Sequence, residues 1–250
     1  MHLTGNTILV TGGGSGIGRG LAEAFHRLGN TVIIAGRRRD LLDAVTAANA
    51  GMAAYTVDMS DRNSIEALAG AVAADFPSLN VLVNNAGIMR GERLADLHGD
   101  LATAEETIAT NLLGPIRLTA ALLPRLMAQP RAAVIAVSSG LAFVPLAATP
   151  TYSATKAALH SYAVSLRHQL RDTPVEVIEI APPYVQTELM GPQQASDPHA
   201  MPLEAFIEET MELLAAEPAG GEVLVERVHP LRFADRSGRA AEMFSALNPG

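Results

Sequence analysis

The chain has 250 residues, 48% of them hydrophobic, with 18 basic against 26 acidic side chains and no cysteine. That length and apolar content suffice for one large core, so a single domain over 1–250 is expected, and a formal charge of −8 leaves no broad basic face for nucleic acid. Disulfides and thiolate zinc sites are excluded, which suits a reducing, cytoplasmic setting, and the seven histidines lack metal-ligand spacing, so no metal is expected.

The chain opens on MHLTGNTILVTGG, where a strand-like run begins almost at once, without the basic and apolar regions of a secretory signal. Beyond it, short β-branched runs alternate with longer helical patterns, the mark of a parallel sheet covered on both faces. Strands are predicted over Thr7–Thr11, Thr31–Ala35, Ala53–Val57, Val81–Asn84, Ala133–Val137, Val175–Ile180 and Glu222–Val228. Helices are predicted over Gly16–Leu28, Arg38–Asn49, Asp61–Asp75, Leu101–Met127, Thr151–Arg171 and Leu203–Ala215. Right-handed crossovers make this an α/β, Rossmann-type doubly wound parallel sheet of about seven strands. The order 3-2-1-4-5-6-7 is expected by analogy with dinucleotide-binding folds. The uncharged stretch Ala132–Thr155 is long enough to cross a bilayer, but Ser138, Ser139, Gly140, Pro145 and Pro150 break it into a strand, a loop and a helix start, so no membrane partner is expected.

The first strand runs into Thr11-Gly12-Gly13-Gly14-Ser15-Gly16-Ile17-Gly18 and then an amphipathic helix. Glycines free the turn from Cβ obstruction, let backbone N–H groups approach a pyrophosphate and place it against the positive helix end. A glycine-rich connection alone could be only a turn; the strand-turn-helix context favours Gly12, Gly14, Ser15, Gly16, Ile17 and Gly18 as cofactor-binding residues. After the second strand comes Gly36-Arg37-Arg38-Arg39, where a free ribose 2′-OH would want an acid. A guanidinium instead matches a 2′-phosphate, so NADP(H) is expected over NAD(H), through Arg37 first and Arg38 second, although these arginines could also be a helix start facing Asp40 and Asp43. Asp58, with Met59 beside it, closes the third strand where a carboxylate can accept from an adenine amino group. The fourth ends in Asn84-Asn85-Ala86-Gly87, by composition a turn.

Farther along, Tyr152 and Lys156 stand four apart on one helix face. Alone this is a weak pattern, but an ammonium beside a phenol favours phenolate and brings tyrosine toward acid/base use. Ser139, thirteen residues before Tyr152, could polarise a carbonyl, whereas Ser138 should face the opposite side of the strand. Asn111 is an isolated polar choice within the long apolar helix.

In this order the glycine turn, N-N-A-G, Asn111, Ser139 and Y-x-x-x-K resemble the short-chain dehydrogenase/reductase family. The surroundings of Ser139 and Tyr152, with Ile-Ala-Pro-Pro, look most like its DltE-type oxidoreductases. The resemblance implies that Asn85, Ala86 and Gly87 brace the sheet beside the cofactor and that Ser139 is preferred over Ser138. It also implies a catalytic set of Asn111, Ser139, Tyr152 and Lys156, with a relay from Asn111 through water, Lys156 and the ribose hydroxyl to Tyr152. Pro182-Pro183-Tyr184-Val185-Gln186-Thr187 resembles P-G-x-V-x-T, which implies cofactor contacts by Pro182, Val185 and Thr187, with Pro183 in place of the usual glycine. A helix-bundle homodimer is implied too, while the ending after Val228 departs from the family's V-D-G-G and gives a polar, helix-like tail.

The expected activity is reversible hydride transfer between NADP(H) and a carbonyl or secondary alcohol, most simply ketone or aldehyde reduction. Leu141, Phe143, Tyr184 and Met190 are candidate pocket walls, and the irregular Pro182–Pro202 stretch is a candidate substrate lid within about 182–215. The alternative is a non-catalytic dinucleotide-binding regulatory protein on the same fold.

Overall fold

Residues 1–96, 101–217 and 219–249 are described by the computed structural model. Strands β1 (Thr7–Thr11), β2 (Thr31–Gly36), β3 (Ala53–Thr56), β4 (Val81–Asn84), β5 (Ala132–Val137), β6 (Val175–Ile180) and β7 (Glu222–Val223) form one parallel sheet. Its order is β3-β2-β1-β4-β5-β6-β7, the one expected by analogy with dinucleotide-binding folds.

Side-chain alternation along the strands divides the core in two. Ile8, Val10, Ile34, Val83 and Ile180 face one side, where α1 (Gly16–Arg27), α2 (Arg39–Ala48) and α8 (Leu203–Ala215) bury Phe25, Leu42 and Phe206. Leu9, Ile33, Leu82 and Val177 face the other, against α3 (Arg62–Asp75), α5 (Gly114–Met127) and α6 (Pro150–Leu170). Both faces being covered is why the strands read as continuous apolar runs.

Two expectations need correction. The helix predicted over Leu101–Met127 is three segments: α4 (Ala102–Ile108), a π-helical turn (Ala109–Leu113) and α5. Pro115 has no N–H for the Asn111 carbonyl and its ring crowds that oxygen, so the regular ladder fails there and Gly114 N–H bonds instead to Ala109 O, five residues back. At this turn Gly114 sits so close to Met59 that a Cβ would lie 2.6 Å from the Met59 carbonyl oxygen. The seventh strand stops at Val223 rather than Val228, because β6 ends at Ile180 and the following Ala181-Pro182-Pro183 offers no run of N–H groups to extend the ladder. Residues 226–228 turn into a 3₁₀ helix leading to α9 (His229–Arg232) and α10 (Ala240–Leu247).

The Pro182–Pro202 stretch folds on itself around one short helix, α7 (Pro192–Ala195). Gln194, buried, is its post: Nε2 donates to Val185 O at 2.8 Å and to Thr187 Oγ1 at 3.1 Å, while Oε1 accepts from Met190 N–H. Among the described residues no helix is long and apolar enough to cross a membrane.

Candidate active site

The carboxyl ends of the strands open into a cavity of about 870 Å³. Parallel α/β sheets bind ligands at this end. At its floor, Gly12 takes φ +69° and its N–H bonds to Ala35 O at 2.7 Å, so the turn folds back over β2. Thr11 holds the neighbouring loop: its hydroxyl donates to Val83 O and accepts from the N–H groups of Asn85 and Ala86 at 3.0 and 3.1 Å. A Cβ on Gly12 would lie 2.8 Å from Asn85 Nδ2, and one on Gly18 would lie 2.3 Å from that atom and 2.4 Å from Gly12 O. These contacts, not phosphate access alone, require glycine at both positions.

Gly12, Gly14, Ser15, Gly16 and Ile17 line the cavity, and no side chain caps the start of α1. Such an uncapped helix start, with a cradle that side chains would fill, fits an anionic phosphate group. Thr110, in the π turn, adds a buried hydroxyl without a hydrogen-bond partner at the same cavity. Gly18 lies behind the lining and acts through packing.

Arg37 and Arg38 line the cavity just after β2. Arg38 Nη2 donates to Ser15 Oγ at 3.0 Å, and Arg37, half exposed, has Glu106 of α4 as an ionic partner at 3.5 Å. Glu106 is also gripped through both oxygens by Arg90, whose hydrogen bond is the chief reason its carboxyl lies below the usual range. Met59 lines the cavity but Asp58 does not. Its carboxylate is engaged by Ser60 N–H at 2.9 Å and Ser60 Oγ at 2.7 Å, and these bonds hold its pKa down.

Ser139, Tyr152 and Lys156 converge on the other half of the cavity, with Pro182, Val185 and Thr187 beside them. Tyr152 and Lys156 share the buried face of α6, whose start is set by Pro150 at its first position. Burial pushes the Tyr152 phenol up to about 12, while its hydrogen bond with Ser139 works the other way. Burial pulls the Lys156 amine down to about 8, against the opposing attraction of Glu179. Lys156 is the only lysine in the sequence; every other basic side chain of the Lys/Arg class is arginine. Its Nζ donates to Val137 O at 2.8 Å and lies 5.6 Å from the centre of the Tyr152 ring. Ser139 Oγ accepts from Leu141 N–H at 3.1 Å, whereas Ser138, also at the cavity lining, turns its hydroxyl away to donate to Glu179 of β6.

Asn111 does not line the cavity. Its amide spans the Ile88 backbone, with Oδ1 accepting from Ile88 N–H and Nδ2 donating to Ile88 O, each at 2.8 Å. This brace fixes the segment after Gly87, where a Cβ would come within 3.3 Å of Asn111 Oδ1 and 3.8 Å of Lys156 Nζ.

Of the candidate pocket walls, Leu141, Tyr184 and Met190 line the cavity and Phe143 does not. Phe143 packs edge-on against His160, 4.9 Å between ring centres, with the Arg232 guanidinium 4.6 Å from its own ring centre. In its stead the tail contributes Leu231 from α9 and Leu247 from α10, walls that no motif announces. Asn248 pins that tail to the loop before α6, donating to Pro145 O and accepting from Ala147 N–H.

Residues 6–198 match a family model described as short chain dehydrogenase. An uncharacterized oxidoreductase, DltE, of Bacillus subtilis is 42% identical over 240 residues, covering 95% of this chain and 94% of the relative. A short chain dehydrogenase from Burkholderia cenocepacia, solved in complex with NADP, superposes with a TM-score of 0.84 over all of both chains at 25% identity. A Burkholderia phymatum short chain dehydrogenase/reductase, solved in complex with NAD, shares the fold at 22% identity and a TM-score of 0.83, over 100% of this chain and 98% of that one.

Proposed function

The chain belongs to the short-chain dehydrogenase/reductase family of oxidoreductases, and on that premise we propose that it reduces ketones or aldehydes with NADPH, with Tyr152 as the proton donor. The observation that carries this reading is the convergence of Ser139, Tyr152 and Lys156 in the same cavity as the uncapped start of α1 and its glycine cradle.

A bound reduced nicotinamide supplies the hydride. What the chain supplies is the oxygen's half of the reaction. Hydride arrival at a carbonyl carbon leaves charge on oxygen, which two donors can stabilise. Ser139 donates one hydrogen bond, and Tyr152 donates the proton that becomes the alcohol hydrogen. The Lys156 ammonium lowers the cost of the resulting phenolate and offers further protons for the nicotinamide ribose. Asn111 braces Gly87 and Ile88; any water it anchors toward Lys156 would be held by its main-chain carbonyl, which Pro115 deprives of its usual donor.

NADP(H) over NAD(H) rests on Arg37 and Arg38, two guanidinium groups at the cavity where a 2′-phosphate would need them. The substrate's apolar body would lie against Leu141, Met190, Leu231 and Leu247. Exposed Met127 on α5 and Val164 on α6 support a homodimer through these helices, which light scattering tests directly; a monomer at working concentration overturns it.

The activity is tested with purified protein, NADPH and a panel of ketones and aldehydes, following loss of reduced-nicotinamide absorbance. Turnover that requires Tyr152 supports the proposal. Cofactor binding without turnover across the panel overturns it in favour of a dinucleotide-binding regulatory protein.

A further inference from the structure

The sixth strand carries an acid where its pattern calls for an apolar residue. In Val175-Glu176-Val177-Ile178-Glu179-Ile180, Glu176 is exposed, but Glu179 has no accessible side-chain surface and points to the face that α6 covers. A buried carboxylate is costly unless its oxygens are partnered. Here Oε1 accepts from Ser138 Oγ and Oε2 pairs with His160 Nδ1 at 2.7 Å. Register explains the reach: Ala136 is paired with Glu179, so Ser138, two residues on, shares its face at the end of β5.

The charged and titratable groups around it come from three elements. From α6 come His160 and Lys156, the latter attracted by Glu179. Arg167 of the same helix is directed to backbone, bonding Val177 O and Gly221 O. From β7 comes Glu222, whose carboxylate lies within 4.8 Å of the Glu179 and His160 ligand atoms. From α9 comes Arg232, which holds Glu222 through both oxygens at 2.9 and 3.1 Å. Arg232 therefore neutralises the corner that a metal ion would otherwise have to fill, and Glu179 is left to act toward the cavity.

We propose that Glu179 is a positioning residue for proton transfer: its buried carboxylate anchors Ser138 below Ser139 and keeps Lys156 in its ammonium form. This rests on the reductase reading for its consequence but not for its geometry. Lys156 is held at Val137 O, next to Ser138, and stands one helical turn before His160, and Glu179 bonds both Ser138 and His160; an amine buried so near a carboxylate sheds its proton more readily once that anion is removed. Glu179 is that anion. It does not line the cavity and acts through Ser138 and Lys156. Removing its charge favours loss of a proton at Lys156, because a negative charge raises the pKa of a neighbouring amine.

Because the chain has one lysine, labelling with isotopic lysine gives one side-chain NMR signal and hence a titration of Lys156 alone in the whole protein. In Glu179→Gln its midpoint should fall by about one pH unit. The alkaline limb of kcat/KM for carbonyl reduction should move to lower pH in the same variant, and Glu179→Asp should restore both toward wild type. Glu179→Met, similar in length and uncharged, is the second variant should the glutamine variant not fold, with the same shift expected. A folded, uncharged variant whose lysine midpoint and pH profile match wild type overturns the proposal. The two readings fail separately: a lysine that shifts in a protein that reduces nothing refutes the reductase, while an active reductase whose lysine ignores residue 179 refutes the role of Glu179.

Discussion

Lys156 donates a 2.8 Å hydrogen bond to the main-chain carbonyl of Val137, which fixes the chain's one ammonium-bearing side chain against the end of β5, next to Ser138 and Ser139. The same bond that positions the group does not recover all that burial costs it, since its pKa drops from 10.5 to about 8.

That deficit sets a pH dependence of stability. Between those two values the folded chain binds fewer protons at this site than the unfolded chain, so stability rises as pH climbs from about 8 toward 10. Tyr152, raised from 10.0 to about 12, acts with the opposite sign and only above its ordinary value. Lys156→Met should flatten this rise, because the group that titrates differently in the two states is gone. Thermal melts across this range check it, and a variant whose stability still climbs as steeply as wild type between those pH values contradicts it.

Tyr152→Phe removes the proton donor and keeps the ring. Turnover should fall at least about a hundredfold. Calorimetry should find NADPH affinity unchanged, and appreciable turnover by this variant would exclude Tyr152 as the donor.

Arg37→Asp places a carboxylate where the 2′-phosphate is expected. The ratio of kcat/KM for NADPH over NADH should fall about ten- to a hundredfold, the worth of one or two charge-assisted hydrogen bonds. An unchanged ratio would remove Arg37 from cofactor choice.

Gly18→Ala tests the packing behind the cofactor turn. The new Cβ meets the Gly12 carbonyl oxygen at 2.4 Å, a backbone atom that cannot swing aside. A loss of about 1–3 kcal/mol in unfolding free energy is expected, accompanied by weaker NADPH binding. An unaltered melting temperature would show that α1 shifts freely, contrary to the close contacts seen.

Leu247→Glu tests the tail as a pocket wall. For apolar ketones KM should rise about tenfold with kcat nearly constant, since a wall remote from the reacting carbon binds ground and transition states alike. Equal KM values would place the substrate elsewhere.

Much of this architecture is legible in the sequence because the signals are local. Alternating β-branched runs and helical periods mark a parallel sheet covered on both faces, and the strand order follows by analogy with dinucleotide-binding folds. The glycine turn, Ser139 and Y-x-x-x-K fall at strand ends or on one helix face, which such a sheet gathers at one edge. What depends on distant partners is not legible. Asp58 looks available after its strand until Ser60 takes its oxygen, and Phe143 looks like a wall until Arg232, 89 positions later in sequence, draws it aside. The π turn had a visible cause in Pro115, four residues after Asn111. Glu179 had one as well: an acid in a strand that is otherwise apolar on that face. Leu231 and Leu247 had none, since only the fold of the tail carries them to the cavity.

The solitary lysine also turns ordinary amine chemistry into an occupancy gauge. Apart from the chain terminus, an acylating reagent has one target, and that target lies inside the cavity. Protection of Lys156 from acylation, read by intact-mass measurement, would therefore score which dinucleotides and carbonyl compounds fill the site before any of them is seen to react.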